Sequence, residues 1–304
     1  MPVVITTDIP EFFPTEFTNN WMHLVQQKVS KLREFLSIDT IRGKEKKYNQ
    51  IDPVEMTQIT TRAGETNVTD TTMAHRWIRP LQYEKADLLD EWDSELLGEI
   101  ALPQSELVQN HAMAYARSID KIALAAAVGN ASTGATGTTN TALPAGQKVA
   151  VDYVESGAAA NSGLTIAKLR RAKFILDDNN VDEDDQRIIA CSPAQIQDLL
   201  RTTETTSADF NTVRALVAGQ IDTFMGFRFR VTDKSFFTYD GATGIRKIVA
   251  YTKSGLRFAD SGRKVHVDIR PDRSHALQLR TVASMGAVRM EEKKVVEIAC
   301  DEVL

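Results

Sequence analysis

Apolar residues recur at intervals of three and four between positions 105 and 128, the spacing that places them on one face of an α-helix. Alanine is abundant in this stretch, and Ser105 followed by Glu106 suits the start of a helix. The pattern predicts one helix from about Ser105 to Val128, about 36 Å long at 1.5 Å per residue. Its apolar face consists of Val108, Ala112, Tyr115, Ile119, Ile122 and Ala126. We expect a sheet to pack against that face.

The N-terminal region predicts an arm followed by a second helix. Residues 1–14 alternate weakly between apolar and polar positions and end in Phe-Phe-Pro, which indicates an extended segment that needs a partner surface. From Thr15 onward the helical spacing returns, so we expect an amphipathic helix that ends near Phe35. Its apolar positions are Phe17, Trp21, Leu24, Val25, Val29, Leu32 and Leu36.

Residues 38–100 have a different character, that of a long two-stranded hairpin. A basic run, RGKEKKYNQ, precedes two threonine-rich segments, VEMTQITTR and TTMAHRWIRPLQ, which flank the turn-like AGETNVTD. An isolated hairpin of this polarity cannot bury enough surface to be stable by itself. We therefore expect it to lie on a neighbouring subunit.

Residues 129–163 carry no clear helical or strand period apart from the short strand candidate KVAVDYV, so they predict a long irregular connection. The next segment, 164–258, indicates an α+β unit around a small mixed sheet. It contains a predicted helix over Leu164–Leu176, the strand RIIACS, a helix opened by Ser192 and Pro193, a helix over Phe210–Leu216, and the strands FRFRVTD and KIVAYT.

The C-terminal segment predicts antiparallel strands. Apolar and polar residues alternate in VHVDIRP, HALQLRTVASMGAVRM and KKVVEIAC. We expect all of these strands to return to the long helix.

Charge and cysteine content narrow the class of protein. The 304 residues carry a formal net charge of −5, so a general basic nucleic-acid binder is excluded and any DNA contact must be local. The two cysteines, Cys191 and Cys300, are too few for a disulfide framework and indicate a reducing compartment. No signal peptide or run of roughly 18 apolar residues is present, so we expect neither export nor a membrane contact.

Candidate chemical sites are weak. The acidic run 177–185 fails as a calcium loop because Glu183 stands where glycine is needed and Ile189 where a glutamate ligand is needed. The glycines at 129, 134 and 137 lack the Gly-Lys-Ser/Thr of a phosphate-binding loop. The remaining candidates are scattered histidines without metal-binding spacing, a cysteine inside an apolar strand, and the basic run at 42–47, which favours a solvated or subunit-contacting face. We therefore expect no catalytic site, no cofactor and no metal.

Three segments carry a family resemblance: LRRAKFILDDNNVDEDDQRIIACSPAQIQDLL, GQIDTFMGFRFRVTD and GAVRMEEKKVVEIAC. In this order they resemble the major capsid proteins of tailed bacteriophages, particularly podophage-like relatives, over about 164–304. The resemblance implies the α+β Hong Kong 97-type capsid fold. Its implied domains are an N-terminal arm and helix (1–37), an extended β-hairpin loop (38–100), a peripheral domain with a spine helix and antiparallel strands (101–163 and 259–304), and an α+β axial domain (164–258).

The resemblance also implies a function and partners. Copies of the chain are expected to assemble in the host cytoplasm into hexamers and pentamers of an icosahedral virion shell, which encloses double-stranded DNA without sequence-specific binding. A portal protein and a decoration protein are further implied partners. Because only some 14 residues precede the first predicted helix, we expect a separate scaffolding protein rather than a cleaved scaffolding region. No lysine and asparagine can be matched to the covalent cross-link of some family members, so noncovalent contacts are expected.

Six charged residues are candidates for salt bridges between neighbouring subunits. The expected cations lie in the hairpin and the expected anions shortly after it. They are Arg62, Arg76 and Arg79, with Glu91, Asp93 and Glu95.

Two other classes of protein remain open. An encapsulin-like nanocompartment shares the implied fold and would package an enzyme through a short targeting tail. A small-molecule enzyme that uses Cys191 or the acidic run is the third hypothesis, and it requires a thiol that reacts in the folded protein.

Overall fold

The computed structural model describes residues 23–62, 64, 66, 68–90, 104–201 and 223–302. Its α-helices are α1 (Gln104–Val128), α2 (Ile166–Asp178) and α3 (Pro193–Arg201). Short 3-10 turns cover Arg33–Phe35, Ala145–Gln147, Lys234–Phe236 and Glu292–Lys294. The strands are β1 (Ser37–Thr40), β2 (Lys46–Ile51), β3 (Met73–Ile78), β4 (Leu81–Leu89), β5 (Ala131–Thr133), β6 (Thr139–Thr141), β7 (Lys148–Val149), β8 (Arg187–Cys191), β9 (Thr223–Phe224), β10 (Phe227–Val231), β11 (Thr238–Asp240), β12 (Ile245–Thr252), β13 (Leu256–Arg270), β14 (Ala276–Arg289) and β15 (Val295–Asp301).

The first sheet has the strand order β1-β13-β14-β4 and packs against α1. The long helix predicted over 105–128 is confirmed, with its start one residue earlier. β13 and β14 form a long antiparallel hairpin whose register shifts between Asp260 and Arg263. Gly262 lies in this irregularity with φ of +83°, a conformation that glycine adopts without steric cost. β1 runs parallel to β13 only as far as Asp260.

The second sheet has the order β7-β15-β12-β8-β10-β9, and β11 pairs with the first residues of β12. All five residues of β8 are buried, which explains the apolar run 188–191 in the middle of a sheet; Arg187 at its start is ion-paired with Asp177. α2 packs against this sheet through β15. The predicted elements that became α2, β8, α3, β10 and β12 are confirmed, whereas the helix predicted over 210–216 lies outside the described residues.

The last strand does not return to the long helix, so that prediction was wrong. β15 instead pairs antiparallel with β12 and parallel with β7 in the second sheet. Val295, Val296 and Ile298 have no exposed surface, so successive residues are buried on both faces of the strand. A strand of this kind needs strands on both edges and cover on both faces.

The third sheet, β2-β3-β5-β6, forms the base of the predicted hairpin. The strand expected over residues 54–62 was wrong: the chain there is irregular and exposed, and β3 pairs with β2 inside the basic run instead. This register buries Tyr48, whereas residues 54–62 have no described neighbouring strand that could cover their apolar side chains. The 129–163 segment was expected to be largely irregular, but β5 and β6 within it form a short hairpin that extends this sheet.

The predicted N-terminal helix is absent over residues 23–32, where the chain has no helical turn. Only Arg33–Phe35 forms a 3-10 turn, and the rest of the predicted helix and arm lies outside the described residues. Leu24, Val25 and Val29 are largely exposed, so these apolar side chains pack on no surface within the described residues. Leu32 is buried, because the backbone at that point is bound to α1.

Candidate assembly surfaces

A fully buried arginine connects the end of α1 to the base of the hairpin. Arg289, near the end of β14, donates hydrogen bonds of 2.8 Å from Nη1 to the carbonyl oxygens of Ala127 and Gly129. Its Nη2 donates to the carbonyl oxygen of Thr141 at 3.0 Å. A cation at the carboxyl end of a helix meets carbonyl groups that have no partner within the helix. Burial lowers the pKa of Arg289, and the carboxylate of Glu292 opposes that effect.

A second arginine, Arg76 on β3, connects the hairpin to the residues that follow β14. Arg76, on β3, donates from Nε to the carbonyl oxygen of Met290 at 2.8 Å and forms an ion pair with Glu292. Glu292 also lies 3.7 Å from Arg289. We call Arg76, Arg289 and Glu292 the base cluster. It fixes β3, the end of β14 and α1 relative to one another.

Trp77 and Arg79 both donate hydrogen bonds to a turn that contains Gly134 and Gly137. Arg79 forms an ion pair of 3.1 Å with Glu45 and donates to the carbonyl oxygen of Gly137 at 2.9 Å. Trp77 donates from its indole nitrogen to the carbonyl oxygen of Gly134 at 2.8 Å. Gly134 and Gly137 have φ of +84° and +69°. These glycines therefore form a turn beneath Trp77, with their carbonyl groups facing donors, and do not form a phosphate-binding loop.

The six predicted contact residues are thus separated by the structure. Arg76 and Arg79 are paired within their own chain, whereas Arg62 lies exposed near the end of the hairpin. Glu91, Asp93 and Glu95 lie outside the described residues. Salt bridges between subunits at these positions remain a prediction. The sequence pattern did not identify Glu45 and Glu292 as partners of these arginines. It marked Arg289 only as an arginine within a strand of mostly apolar residues.

The end of the hairpin exposes apolar side chains. We call residues 52–72 the hairpin tip, and they contain no strand in the described positions. Val54, Met56, Ile59 and Val68 are each more than two thirds exposed. Several exposed apolar side chains on one segment mark a surface for contact with another protein.

The N-terminal segment is bound to α1 through one buried carboxylate. Asp120 is wholly buried and accepts hydrogen bonds from the backbone N–H groups of Lys31 at 3.0 Å and Leu32 at 3.2 Å. It also accepts from the side chains of Gln27 and Ser30. We call residues 23–36 the strap. Asp120 therefore fixes the position of the strap on α1.

A histidine on α1 contacts the first sheet. The ring nitrogens of His111 lie 2.7 Å from Asp87 on β4 and 2.9 Å from the hydroxyl oxygen of Thr281 on β14. Burial raises the pKa of Asp87, but hydrogen bonds from Lys85 and His111 outweigh that effect and hold it below the usual carboxyl value. This histidine is therefore a packing residue with satisfied hydrogen bonds.

The two cysteines and Lys168 are buried in the interior of the protein. Cys191 and Cys300 are wholly buried and form no disulfide, and burial raises the pKa of each thiol to about 12. Such a thiol is not a nucleophile near neutral pH. Lys168, also wholly buried, donates to the carbonyl oxygens of Ser162, Gly163 and Ala299 at 2.6, 3.0 and 3.0 Å, and thereby links α2 to β15.

The acidic run is bound by neighbouring side chains. Asp177 forms a 2.5 Å ion pair with Arg187, and Asp185 accepts a hydrogen bond from Ser254. Within the described ranges, no group of three or more His, Cys, Asp and Glu side chains is arranged to hold a metal ion. None of the helices in the described part of the chain has the length and apolar content to cross a membrane.

Comparisons with known proteins agree with one another. A family model described as phage capsid protein matches residues 9–302. The capsid of Ralstonia phage GP4 is similar in structure, with a TM-score of 0.71, 9% identity, and coverage of 99% of this chain and 98% of that chain. The capsid of cyanophage Pam1 has a TM-score of 0.71, 11% identity, and coverage of 95% and 96%, respectively. The capsid of cyanophage P-SCSP1u has a TM-score of 0.68, 16% identity, and coverage of 95% of this chain and 93% of that chain. A comparison with curated protein sequences gives no match.

Proposed function

Since the chain belongs to the phage capsid protein family, we propose that its copies form the hexamers and pentamers of an icosahedral shell that encloses double-stranded DNA. The chain is a major capsid protein of the tailed-phage type and a structural component of the virion, not an enzyme. The α+β Hong Kong 97-type fold expected from the sequence is confirmed.

The observation that carries the proposed assembly is the exposure of the hairpin tip. Its apolar side chains contribute little to the core of their own chain, yet the base cluster holds the hairpin at a fixed position on α1. A fixed base combined with an irregular tip suits contacts that differ slightly between neighbours, as quasi-equivalent shells require. We therefore place the tip on an adjacent subunit.

The domain organisation is proposed on the same basis. The peripheral domain (101–163 and 259–304) is supported by the packing of α1 on β13 and β14, and the axial domain (164–258) by the second sheet and α2. β15 crosses between them, because it follows β14 in sequence but pairs with β12. The arm (1–37) and the extended loop (38–100) complete the division.

Further partners belong to the proposal. A scaffolding protein would select one curvature of the shell among those that flexible contacts between subunits permit. A portal protein and a decoration protein would bind the closed shell. DNA would be enclosed without tight binding, because a subunit with net charge −5 repels phosphates. Two free, buried cysteines are consistent with assembly in the host cytoplasm.

The experiment is negative-stain electron microscopy with size-exclusion chromatography on the full chain, expressed alone and with a scaffolding protein. A variant in which a short Gly-Ser linker replaces residues 54–70 tests the tip. The matched control replaces residues 155–160, an exposed segment remote in sequence from the hairpin, with the same linker. We expect shells from the wild type and the control, and isolated subunits from the tip variant.

Two results would contradict the proposal. A monodisperse monomer or dimer of the wild-type chain under both conditions would exclude assembly into a shell. Normal shells from the tip variant would remove the tip from the assembly contacts. The encapsulin-like alternative gains no support, because the family model and the neighbours reported above are phage capsids. The enzyme hypothesis loses its nucleophile, since Cys191 is buried.

A further inference from the structure

The hydroxyl group of Tyr251 is buried without a hydrogen-bond partner. Tyr251 lies on β12 and has no exposed surface, and within the described residues its hydroxyl oxygen neither donates nor accepts a hydrogen bond. An unpaired buried polar group destabilises the folded state, so its presence calls for an explanation. A phenylalanine would fill nearly the same volume without that loss.

The register of the second sheet places Tyr251 on the face where the strap lies. Tyr251 pairs with Ile188 of β8, and Ile188 pairs with Arg228 of β10. Because residues paired across neighbouring strands share one face of a sheet, Tyr251 and Arg228 project to the same side. Phe35, near the end of the strap, lies over that side. Its ring centre is 5.0 Å from the guanidinium carbon of Arg228 and 4.5 Å from that of Arg230.

The carboxylate of Asp120 influences the same hydroxyl group. Burial raises the pKa of Tyr251 most strongly, the negative charge of Asp120 raises it further, and Arg230 lowers it. Asp120 and Tyr251 are both wholly buried, and their elements, α1 and β12, contact each other. In the structure the backbone N–H groups of Lys31 and Leu32 occupy one carboxylate oxygen each. A second donor to this carboxylate therefore lies nearby and is unused.

Hydrogen bonds, rather than apolar burial, hold the first part of the strap on α1. Leu24, Val25 and Val29 are largely exposed, whereas Leu32 is buried. Release of residues 23–31 would therefore expose little apolar surface. The main opposition to release is the buried carboxylate, because a buried charge that loses its partners destabilises the fold strongly. An alternative donor would reduce that opposition.

We propose that Tyr251 is this alternative donor to Asp120 and that it makes the strap a two-state element. In the bound state the strap occupies the carboxylate, and the tyrosine hydroxyl group is unpaired. In the released state the hydroxyl group donates to Asp120 and partly replaces the N–H groups of Lys31 and Leu32. The inference goes beyond the proposed function and does not rest on it, because all of these groups belong to one chain.

Hydrogen exchange at the amides of Lys31 and Leu32 measures the release, because both amides are bound to Asp120 in the bound state. The sample is the full chain as isolated subunits. Tyr251→Phe removes the alternative donor and leaves the contacts of the bound state in place. The matched control is Tyr239→Phe, at an exposed tyrosine on β11. The amides of the buried strand β8 report global unfolding.

We expect Tyr251→Phe to slow exchange of both strap amides about tenfold, the effect of one hydrogen bond to a charged group, and to leave the β8 amides unchanged. Tyr239→Phe should keep all rates at the wild-type value. Unchanged or faster exchange of the strap amides in Tyr251→Phe would overturn the inference. Equal slowing of the β8 amides would also overturn it, since it would show a general gain in stability. Loss of folding would do the same, because the hydroxyl group would then have a partner in the bound state.

A second variant links the effect to the carboxylate. Asp120→Asn keeps a carbonyl oxygen but removes the charge, so adding Tyr251→Phe to it should slow exchange by less than about threefold. A tenfold slowing in this background would mean that Tyr251 acts on another group. Tryptic cleavage after Lys31 is an independent readout, and it should be slower than wild type in Tyr251→Phe and faster in Asp120→Asn. Failure of the chain to form shells would contradict the proposed function and leave this inference unaffected.

Discussion

Arg289 donates a hydrogen bond of 2.8 Å to the carbonyl oxygen of Ala127, so that a side chain near the end of β14 binds the last turn of α1. Arg289 is wholly buried; the same Nη1 also donates to the carbonyl oxygen of Gly129, and Nη2 donates to that of Thr141. One guanidinium therefore replaces the water that the end of the helix would otherwise need. This contact connects the long helix to the sheet that carries the hairpin.

Arg289→Met is expected to destabilise the subunit by about 3 kcal/mol, because the carbonyl groups and Glu292 lose a buried partner. The measurement is urea unfolding followed by circular dichroism. Arg280→Met, on the same strand but half-exposed and paired with Glu84, should change the unfolding free energy by less than about 1 kcal/mol. Equal losses for both variants would contradict the role given to Arg289.

Asp120→Leu should release the strap from α1, because it removes the acceptor for two backbone N–H groups and two side chains. We expect a stability loss of about 2 kcal/mol and faster tryptic cleavage after Lys31 and Arg33. Asp120→Asn keeps one carbonyl oxygen and should fall between wild type and Asp120→Leu. The control is Lys121→Gln on the exposed side of α1, and cleavage rates that match this control would disprove the anchor.

Gly137→Ala tests the turn beneath Trp77. A Cβ atom at position 137 would meet the Trp77 ring at 2.7 Å, and the φ of +69° disfavours any residue with a side chain. We expect a loss of about 1–3 kcal/mol and a changed Trp fluorescence. Gly146→Ala is the matched control, because a Cβ atom there has no neighbour within 4 Å. A melting temperature unchanged by Gly137→Ala would refute this interpretation.

Acid should weaken the contact between α1 and β4. The pKa of Asp87 in the folded protein lies below its ordinary value of 3.8, so its contribution to stability is present above that pH and is lost as the pH falls through the lower folded pKa. Asp87→Asn should therefore show a smaller fall in the urea midpoint than wild type below about pH 4. Gln82→Ala, a neutral change on the same strand, should keep the wild-type dependence of the urea midpoint on pH. A steeper dependence for Asp87→Asn would contradict the stabilising role of the ionised Asp87 carboxylate.

Polar substitutions in the hairpin tip should separate assembly from folding. Met56→Ser combined with Ile59→Ser removes two apolar side chains that their own chain leaves exposed. The unfolding free energy should change by less than about 0.5 kcal/mol, while the yield of shells in a sucrose gradient falls strongly. Val231→Ser, at a partly exposed site on β10, should leave shell yield unaltered. A large loss of subunit stability in the tip variant would show that the tip supports its own core.

The sequence predicted best where one period persists over many residues. The long helix over 105–128 was foreseen because its apolar residues repeat at intervals of three and four, which only a helix places on one face. The N-terminal helix failed over residues 23–32 for the opposite reason. Leu24, Val25 and Val29 keep helical spacing, but Asp120 binds the backbone of Lys31 and Leu32 next to them. No sequence pattern links residues about 90 positions apart.

By itself, the sequence determined the long helix, the α+β unit and the existence of a hairpin before residue 100, because local periodicity and turn composition specify single elements, and the fold class followed from the resemblance of three segments to phage capsid proteins. Only the tertiary structure decided that β2 rather than residues 54–62 pairs with β3, that β15 joins the second sheet, and that Arg76 and Arg79 bind within their own chain. Pairing and burial depend on which surfaces meet after the chain has folded. That information is carried by contacts between distant residues and not by the spacing of neighbours.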